Sequence, residues 1–213
     1  MRRFAAFLCP FLLAAPALAQ FRPAERPSVL WTADEARRVK QLIDAEPWAQ
    51  QRARTLPNNT FGRLLRYQVL GDQKAGDEER RYLLSFIDAP LDGKGDGGGS
   101  AGLHTANYLN AIRYDALYPS LTPDQRERLE ATFRRHIAQD IVQWDADPPP
   151  LGILPNLALP RRCGTLMMSV VLQDEKLIRD LWAAKGSFRW FFEDYLADGE
   201  FYQEEFAKMT SLI

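Results

Sequence analysis

The stretch that decides the fold is TPDQRERLEATFRRHIAQDI, which runs from Thr122 to Ile141. Its first four residues form a capping box, in which the threonine hydroxyl and the glutamine side chain satisfy free N–H groups at a helix start. The proline stands at the first helical position, where it loses no hydrogen bond. Behind the box an apolar side chain returns every four residues, at Leu129, Phe133, Ile137 and Ile141. This spacing predicts a long amphipathic α-helix.

The same kind of element recurs on both sides of this stretch. A second capping box, Thr32 to Glu35, opens a helix that we expect to reach about residue 55, kinked or restarted at Pro47. Turns or loops are predicted at Gly71–Asp77 and Asp145–Pro150. Further helices are predicted at about 63–70, 78–87, 103–118, 163–172, 174–184 and 187–197. No stretch shows the alternation of a strand, so we predict an all-α fold of antiparallel helical hairpins.

Composition limits the classes of function. The chain has 213 residues, a formal net charge of -1 and a hydrophobic fraction of 46%. Near-balanced charge excludes a strongly basic nucleic-acid binder, and the apolar content is sufficient for a packed core. Two cysteines cannot form a disulfide scaffold or a multi-cysteine zinc site. We expect no metal, no cofactor and no nucleic-acid partner.

The first nineteen residues predict export. Arg2 and Arg3 precede an apolar run, and Ala17-Leu-Ala19 has the small residues of a cleavage site. We expect a signal peptide over 1–19, a helical domain over 20–213, a periplasmic or secreted location, and no membrane contact after cleavage. A buried N-terminal helix is the alternative. The chain stops within an apolar run at Ile213, and we expect it to be the N-terminal part of a longer protein rather than a complete small domain.

One predicted helix carries side chains that suit a sugar cleft. His104, Asn107 and Tyr108 share an edge by three- and four-residue steps, and Arg113 lies nearby. Phenol rings stack on pyranoses, whereas amides and guanidinium groups bind hydroxyl and carboxylate groups. These four residues are candidate substrate ligands. The alternative is a helix with ordinary satisfied polar groups.

Two further segments offer groups for an acidic sugar. Asn156, Arg161 and Arg162 follow a proline-rich loop and place an amide and two cations at a helix start, where N–H groups also favour anions. Tyr202 and Glu204 belong to an acidic turn that begins a later helix. Loop polarity, surface charge and acids that complement a helix dipole explain the same residues without a site.

Three other features carry weaker signals. The glycine-rich loop from Asp92 to Gly102 fails the calcium pattern at Lys94 and lacks the ending of a phosphate-binding loop, so a flexible cover over a cleft and a plain linker stay open. His136 stands among charged residues on a helix with a separate apolar face, and we expect it to be solvated. Cys163 is expected to be a small buried residue.

Two segments carry a resemblance to a known group of proteins. The first is Arg26 to Glu35, RPSVLWTADE, leading into a helix that contains Glu46-Pro-Trp48. The second is Asp198-Gly199, followed by Tyr202 and Glu204-Glu205. The first resembles the entry to the catalytic domain of heparinase II/III-like and alginate-lyase-like polysaccharide lyases, and the second resembles their Asp-Gly-x-x-x-Glu region. The resemblance covers most of the chain after residue 19.

The resemblance implies a fold and a reaction. Those lyases have an incomplete α/α toroid of helical hairpins and cleave acidic polysaccharides by β-elimination, so this chain would form part of such a toroid. It implies that Asn156 neutralises the uronate carboxylate and that Tyr202 transfers the proton, although Leu157 stands where the group usually has a histidine. Two alternatives stay open: a glycoside hydrolase on the same toroid, and a non-catalytic carbohydrate-binding or structural domain. Whether the chain is an enzyme is therefore undecided at this point.

Overall fold

The computed structural model describes residues 23–89, 99–146, 155–184 and 189, where α-helices are joined by short connections and preceded by a non-helical segment at 23–32. Side chains are described in these ranges except at 99–106, 142–146 and 155–161. The all-α prediction is confirmed, because these ranges contain no strand. The predicted helix at 187–197 lies outside them apart from Arg189. A short 3-10 turn, Tyr118–Ser120, precedes α6. The α-helices of the described ranges are α1 (Ala33–Ala45), α2 (Pro47–Arg54), α3 (Thr60–Leu70), α4 (Gln73–Ser85), α5 (Gly99–Leu117), α6 (Pro123–Ala146), α7 (Pro155–Leu172) and α8 (Glu175–Ala183).

Both predicted capping boxes are present. The Thr32 hydroxyl accepts from the Glu35 backbone N–H at 3.2 Å, and the Thr32 N–H donates to the Glu35 carboxylate at 2.7 Å. The Thr122 hydroxyl accepts from the Gln125 N–H at 3.2 Å, and the Thr122 N–H donates to the Gln125 side chain at 3.0 Å. At Pro47 the first helix ends and α2 begins, because the residue before a proline disfavours helical geometry.

The turn predicted at Gly71–Asp77 is largely wrong, since α4 already begins at Gln73. Gly71 alone adopts the left-handed conformation, with φ 73°, and the Asp72 carboxylate caps α4 by accepting from the Ala75 N–H at 3.1 Å. Gly76 lies inside the helix for a packing reason. A Cβ at this position would stand 2.3 Å from Cδ2 of Tyr67, so the missing side chain lets α3 and α4 approach closely.

Other helix boundaries also differ from prediction. α5 begins at Gly99, within the last residues of the glycine-rich loop predicted to run to Gly102, whose earlier residues 92–98 lie outside the described ranges. α6 extends through Ala146 and takes the first residues of the loop predicted at Asp145–Pro150, whose remainder lies outside the described residues. α7 begins at Pro155 rather than at residue 163, with the proline at the position that needs no N–H. Prolines and arginines interrupt the apolar residues at 155–162, so the sequence pattern did not indicate that the helix begins there. Although α6 has 24 residues, none of the described helices combines the length and apolarity needed to cross a bilayer.

Side-chain contacts show that α5 and α6 run antiparallel. The guanidinium carbon of Arg126 lies 4.1 Å from the Tyr118 ring centroid. Further along α6, Tyr114 packs edge-on against Phe133 with ring centroids 5.4 Å apart, and the Tyr114 hydroxyl donates to Glu130. Residues later in α6 therefore contact residues earlier in the α5 segment, as expected for two antiparallel helices. This is the hairpin that the short connection predicted.

The same reversal relates α6 to α7. Arg134 pairs with Asp174, just after α7, at 2.8 Å, and further along α6 Asp140 accepts a hydrogen bond from Thr165. α6 is thus antiparallel to both α5 and α7, and those two helices run parallel to each other. The contact between α5 and α7 is also the most extensive between any two described helices. Their N-termini therefore lie at the same end of the bundle, which we call the α5/α7 N-terminal end.

The core confirms the four-residue repeat of α6. Leu129, Phe133 and Ile137 are fully buried, and Ile141 is half-buried against the same cluster. Burying a side chain of this size stabilises the fold by about 1.5–3 kcal/mol. The core is completed by residues of five other helices and the connecting turns, namely Leu64, Leu83, Phe86, Ala111, Ile112, Tyr114, Ala116, Leu117, Leu121, Met168, Val171, Leu172 and Leu181.

The described N-terminal segment, residues 23–32, lies across the C-terminal end of α5. The buried Asp115 carboxylate accepts backbone N–H groups from Ser28 at 2.7 Å and from Val29 at 2.9 Å. Arg26 covers the rings of Tyr114 and Tyr118. These contacts hold the N-terminal segment against the end of the bundle that lies opposite the α5/α7 N-terminal end.

Candidate functional site

The structure brings most of the predicted ligands onto two neighbouring helices. His104, Asn107, Tyr108 and Arg113 belong to α5, whereas Asn156, Arg161 and Arg162 belong to α7. The side chains of His104, Asn156 and Arg161 are among those that the structure does not describe. Tyr202 and Glu204 lie outside the described residues altogether, so their predicted roles stay predictions.

The α5/α7 N-terminal end holds His104, Asn107, Asn156, Arg161 and Arg162, whereas Arg113 lies toward the other end of α5. Asn156 is the second residue of α7, and Arg161 and Arg162 follow within its first two turns. On α5, His104 and Asn107 occupy the second and third turns. Because the two helices are parallel and in contact, the positive ends of both helix dipoles face the same region. Free N–H groups at two such ends favour an anion.

Buried polar side chains underlie this end of the bundle. Asn107, Arg162 and Thr165 have at most 1% of their surface exposed, and Asp140 has 6%. Thr165 donates its hydroxyl hydrogen to the Asp140 carboxylate. The Oδ1 atom of Asn107 is buried and accepts no hydrogen bond from any described residue. A buried acceptor without a hydrogen bond costs about 1–3 kcal/mol of stability. Such unsatisfied groups are rare in folded proteins, so this one calls for an explanation.

Arg113 is placed differently from what the sequence suggested. It is buried, and its Nε donates to Glu79 at 2.6 Å, its Nη1 to Asn110 at 2.8 Å and its Nη2 to Thr60 at 2.9 Å. Glu79 also accepts from Nε of Arg63. These bonds tie α3, α4 and α5 together. A substrate carboxylate would have to displace Glu79 to reach Arg113, so the structure gives this arginine a role in positioning α5.

The two described tyrosines of α5 have different environments. Tyr108 is half-buried near the N-terminal half of the helix. Tyr114 is fully buried and its hydroxyl donates to Glu130. Burial first, and then the hydrogen bond to Glu130, raise the pKa of Tyr114 far above its usual range. Tyr114 therefore keeps its proton and is excluded as a general base, whereas Tyr108 packs partly buried against the core and its role as a ligand stays a prediction.

The prediction that His136 is solvated is wrong. Its side chain is buried, with 2% of the residue exposed, and its ring lies 4.8 Å from the Phe86 ring, centroid to centroid. Burial, helped by the charge of Arg135 and opposed by the Ala89 carbonyl, lowers the pKa of His136 to about 4. Its buried Nε2 has no hydrogen-bond partner in the described part of the chain. The signal was available, since His136 follows Phe133 by three residues on the apolar face of α6.

No metal-binding group is evident where the structure describes the chain: no three His, Cys, Asp or Glu side chains there gather into a possible ligand set. Cys163 is a free, half-buried thiol, and burial raises its pKa. A raised pKa disfavours the thiolate and therefore a nucleophilic role. The expectation that Cys163 is a small buried residue is thus met only in part.

The α5/α7 N-terminal end gathers groups of the kinds that favour an anionic ligand. It combines two helix N-termini with residues that carry amide, imidazole and guanidinium groups. Comparisons with family models, with curated proteins and with solved structures find no match to this chain. Its function therefore has to be inferred from the residues and their placement.

Proposed function

We propose that this chain is the helical part of an exported polysaccharide lyase that cleaves uronate-containing polymers by β-elimination. The observation that carries the proposal is the parallel contact of α5 and α7, which brings His104 and Asn107 to the same end as Asn156 and Arg161. Those residue types, beside two helix N-termini, suit a sugar carboxylate. The resemblance to heparinase II/III-like and alginate-lyase-like proteins supports the same reaction.

The chemistry assigns a role to each group. The carbon beside a uronate carboxylate holds a weakly acidic proton, and its removal generates an enolate-like intermediate. The Asn156 amide and the helix N-termini stabilise the negative charge that develops on the carboxylate. Tyr202 removes the proton as general base, and the C–O bond to the leaving sugar breaks as the C=C bond forms. The proton then passes from the phenol to the leaving oxygen, which balances the step.

The helical arrangement supports the toroid part of the proposal. In an α/α toroid, helices of one layer run parallel and those of the other layer run antiparallel to them. α5 and α7 share one direction and α6 has the other, as deduced from Tyr114–Phe133 and Asp140–Thr165 contacts. We propose that these hairpins form part of an incomplete toroid with the acidic polymer bound at the α5/α7 N-terminal end.

Export is part of the same proposal. The basic pair Arg2-Arg3, the apolar run and Ala17-Leu-Ala19 support a signal peptide, which would place the enzyme in the periplasm or outside the cell. Acidic polysaccharides are found in those compartments, so location and substrate agree. Amino-terminal sequencing of the secreted protein tests this part, and a mature protein that begins after Ala19 is expected.

The reaction is tested with the full-length protein and three polymers: alginate, hyaluronan and heparin. A lyase product carries a C=C bond conjugated to its carboxylate, so ultraviolet absorbance rises with turnover. Tyr202→Phe should lower kcat by about 100-fold or more, and Asn156→Ala should weaken both binding and turnover. Tyr82→Phe and Asn58→Ala change exposed residues of the same types and should leave activity unchanged.

Three results would contradict the proposal. Release of reducing sugar without the chromophore would indicate a glycoside hydrolase, for which Glu204, Glu205 and Asp198 are the candidate acids. Saccharide binding without turnover would indicate a carbohydrate-binding or structural domain. Turnover that survives Tyr202→Phe at the wild-type rate would remove the assigned base.

A further inference from the structure

A groove lies between α1 and the C-terminal half of α3, at the opposite end of the bundle from the proposed polysaccharide site. Ala116, in the last turn of α5, and Pro119, just after that helix, form part of its wall and fix this location. The groove has a volume of about 590 Å³, within the range of about 300–1,000 Å³ that is typical of small-ligand sites.

Small apolar side chains line much of the groove. Six of its lining residues are proline, alanine or valine, namely Pro27, Ala33, Ala36, Val69, Ala116 and Pro119. Tyr67 adds an aromatic ring, which is held in place where its Cδ2 edge lies against Gly76. An aromatic ring among small apolar side chains offers a surface on which the C–H face of a pyranose can pack.

Three hydrogen-bonding side chains of the lining are available to a ligand. The side-chain amides of Gln41 and Gln73 and the hydroxyl of Tyr67 bond to no described residue. Gln41 and Gln73 are exposed and Tyr67 is half-buried, so a ligand in the groove can reach all three from the solvent. Amides and phenols both donate and accept hydrogen bonds, which suits the hydroxyl groups of a sugar.

The groove also has a positive rim. Its described lining includes Arg37 and Lys40 but no aspartate or glutamate. The two cations pair with Asp34 and Asp44, which do not line the groove. The four side chains of these pairs are 46–72% exposed, so the pairs contribute little to stability and either cation can turn towards a ligand carboxylate.

We propose that the groove binds an acidic sugar residue. The C–H face of the sugar packs on the apolar lining, and its hydroxyl groups bond to Gln41, Gln73 and Tyr67. Its carboxylate pairs with Arg37 or Lys40. The assignment of this sugar to an acidic polymer rests on the proposed function.

The groove and the proposed catalytic end can hold different parts of one polymer chain. They are about 25 Å apart, because α5 rises about 1.5 Å per residue from Gly99 to Ala116. A polymer attached at the groove has a raised effective concentration at the other end of the bundle. The groove therefore serves as a second, non-catalytic attachment point.

The walls of the groove are held together before a ligand arrives. The Gln68 side chain accepts from Nε1 of Trp31 and donates to the Ala116 carbonyl at 2.8 Å. It thus joins the N-terminal segment, α3 and the end of α5. A site whose walls are already in position loses less entropy on binding than a flexible one.

The direct test is an NMR titration of the full-length protein with a hexuronate tetrasaccharide, observing backbone amide signals of groove residues such as Ala36, Gln41 and Gln73. Cellotetraose, at the same ionic strength, is the comparison ligand without carboxylates. We expect saturable shifts with the hexuronate and at least fivefold weaker binding of cellotetraose. Ala33→Trp fills the groove from an exposed position and should weaken binding at least tenfold. Arg38→Trp, on an exposed position of α1 outside the lining, is the matched control and should bind as the wild type does.

A second variant tests the charged rim without adding bulk. Arg37→Gln combined with Lys40→Gln changes two exposed side chains, so the fold should persist if Ala33→Trp does not fold. This pair should weaken hexuronate binding at the groove several-fold and leave cellotetraose binding unchanged.

Lyase kinetics test the attachment role. Ala33→Trp should raise KM for the polymer several-fold with kcat unchanged, because only attachment at the groove is lost. KM for a tetrasaccharide should stay at the wild-type value, since a short ligand gains nothing from a second attachment point. Arg38→Trp should match the wild type with both substrates.

The outcomes separate this inference from the proposed function. Groove signals that show no saturable shift with hexuronate overturn the inference, as do equal affinity for cellotetraose and wild-type polymer KM in Ala33→Trp. Binding at the groove without lyase activity supports the inference and contradicts the proposed reaction. Lyase activity without binding at the groove does the reverse.

Discussion

Glu79 is the buried charge that joins three helices, and its replacement by glutamine has a calculable cost. Its carboxylate is fully buried and accepts from Nε of Arg63 and, at 2.6 Å, from Nε of Arg113. The two arginine side chains are only 12% and 11% exposed. Glu79→Gln keeps the size of the side chain but leaves the buried Arg113 without its anion, and leaves Arg63 with only the partly exposed Glu78 at 3.8 Å. Removing one partner of a buried ion pair costs about 3–5 kcal/mol, so we expect the free energy of unfolding to fall by that amount.

Urea denaturation followed by far-ultraviolet circular dichroism measures this loss. The matched control is Glu78→Gln, because Glu78 is the preceding residue, is 31% exposed and lies 3.8 Å from Nη1 of Arg63. A partly exposed pair at this distance contributes about 1 kcal/mol or less. If Glu79→Gln and Glu78→Gln destabilise the protein equally, the buried network does not hold α3, α4 and α5 together and the reasoning fails.

Three further predictions concern stability. The pKa of His136 is about 6.5 in the unfolded chain and about 4 in the folded protein, so between these two pH values the unfolded chain binds a proton that the folded protein does not. The free energy of unfolding should therefore fall as the pH is lowered through this window, by at most about 3 kcal/mol. His136→Gln should remove this pH dependence, as measured by urea titrations at about pH 7 and about pH 5. Asp115→Ala leaves two backbone N–H groups without their acceptor and should lower unfolding free energy by about 2–4 kcal/mol, with faster amide exchange in the N-terminal segment. Gly76→Ala drives a methyl group into the Tyr67 ring and should cost about 1–3 kcal/mol in the same assay.

Each of these variants has a control, which lies on the same helix for His136→Gln and Gly76→Ala and on α6 for Asp115→Ala. Arg135→Gln removes the charge beside His136 and should raise its pKa slightly, because Arg135 is the second cause of the lowered value. Asp124→Ala changes an exposed acid in the first turn of α6 and should cost about 1 kcal/mol or less. Lys74→Ala changes an exposed residue of α4 and should stay within about 0.5 kcal/mol of wild type. Controls that destabilise as strongly as the paired variants would contradict the assigned contacts.

Local signals explain which helices could be predicted. Capping boxes at Thr32 and Thr122 act over four residues, so they are readable from sequence and are present in the structure. The start of α4 was missed because Gly71 and Gly76 both suggest a turn. Only Gly71 has positive φ, whereas Gly76 serves close packing against Tyr67, a contact that a linear pattern does not reveal.

The candidate site shows the same division between local and long-range information. The α5 positions of His104 and Asn107 follow from helical periodicity, whereas the α7 position of Asn156 does not, because the pattern showed that helix only from residue 163. The shared end of the bundle depends in addition on the direction of α6 between the two helices. The partner of Arg113 is Glu79, 34 residues away, and no local pattern indicates it. The position of His136 on the apolar face of α6 could be read from the sequence, but the neighbouring Arg134 and Arg135 suggested a solvated side chain instead.

Crystals of the full-length protein with a hexuronate tetrasaccharide test the central claim most directly, because they locate the sugar on the helical bundle. We predict that a uronate carboxylate lies at the α5/α7 N-terminal end, in contact with Asn156 and the first turns of both helices. A tetrasaccharide bound only beside Tyr118 at the opposite end, or bound to neither end in crystals soaked to saturation, would contradict it.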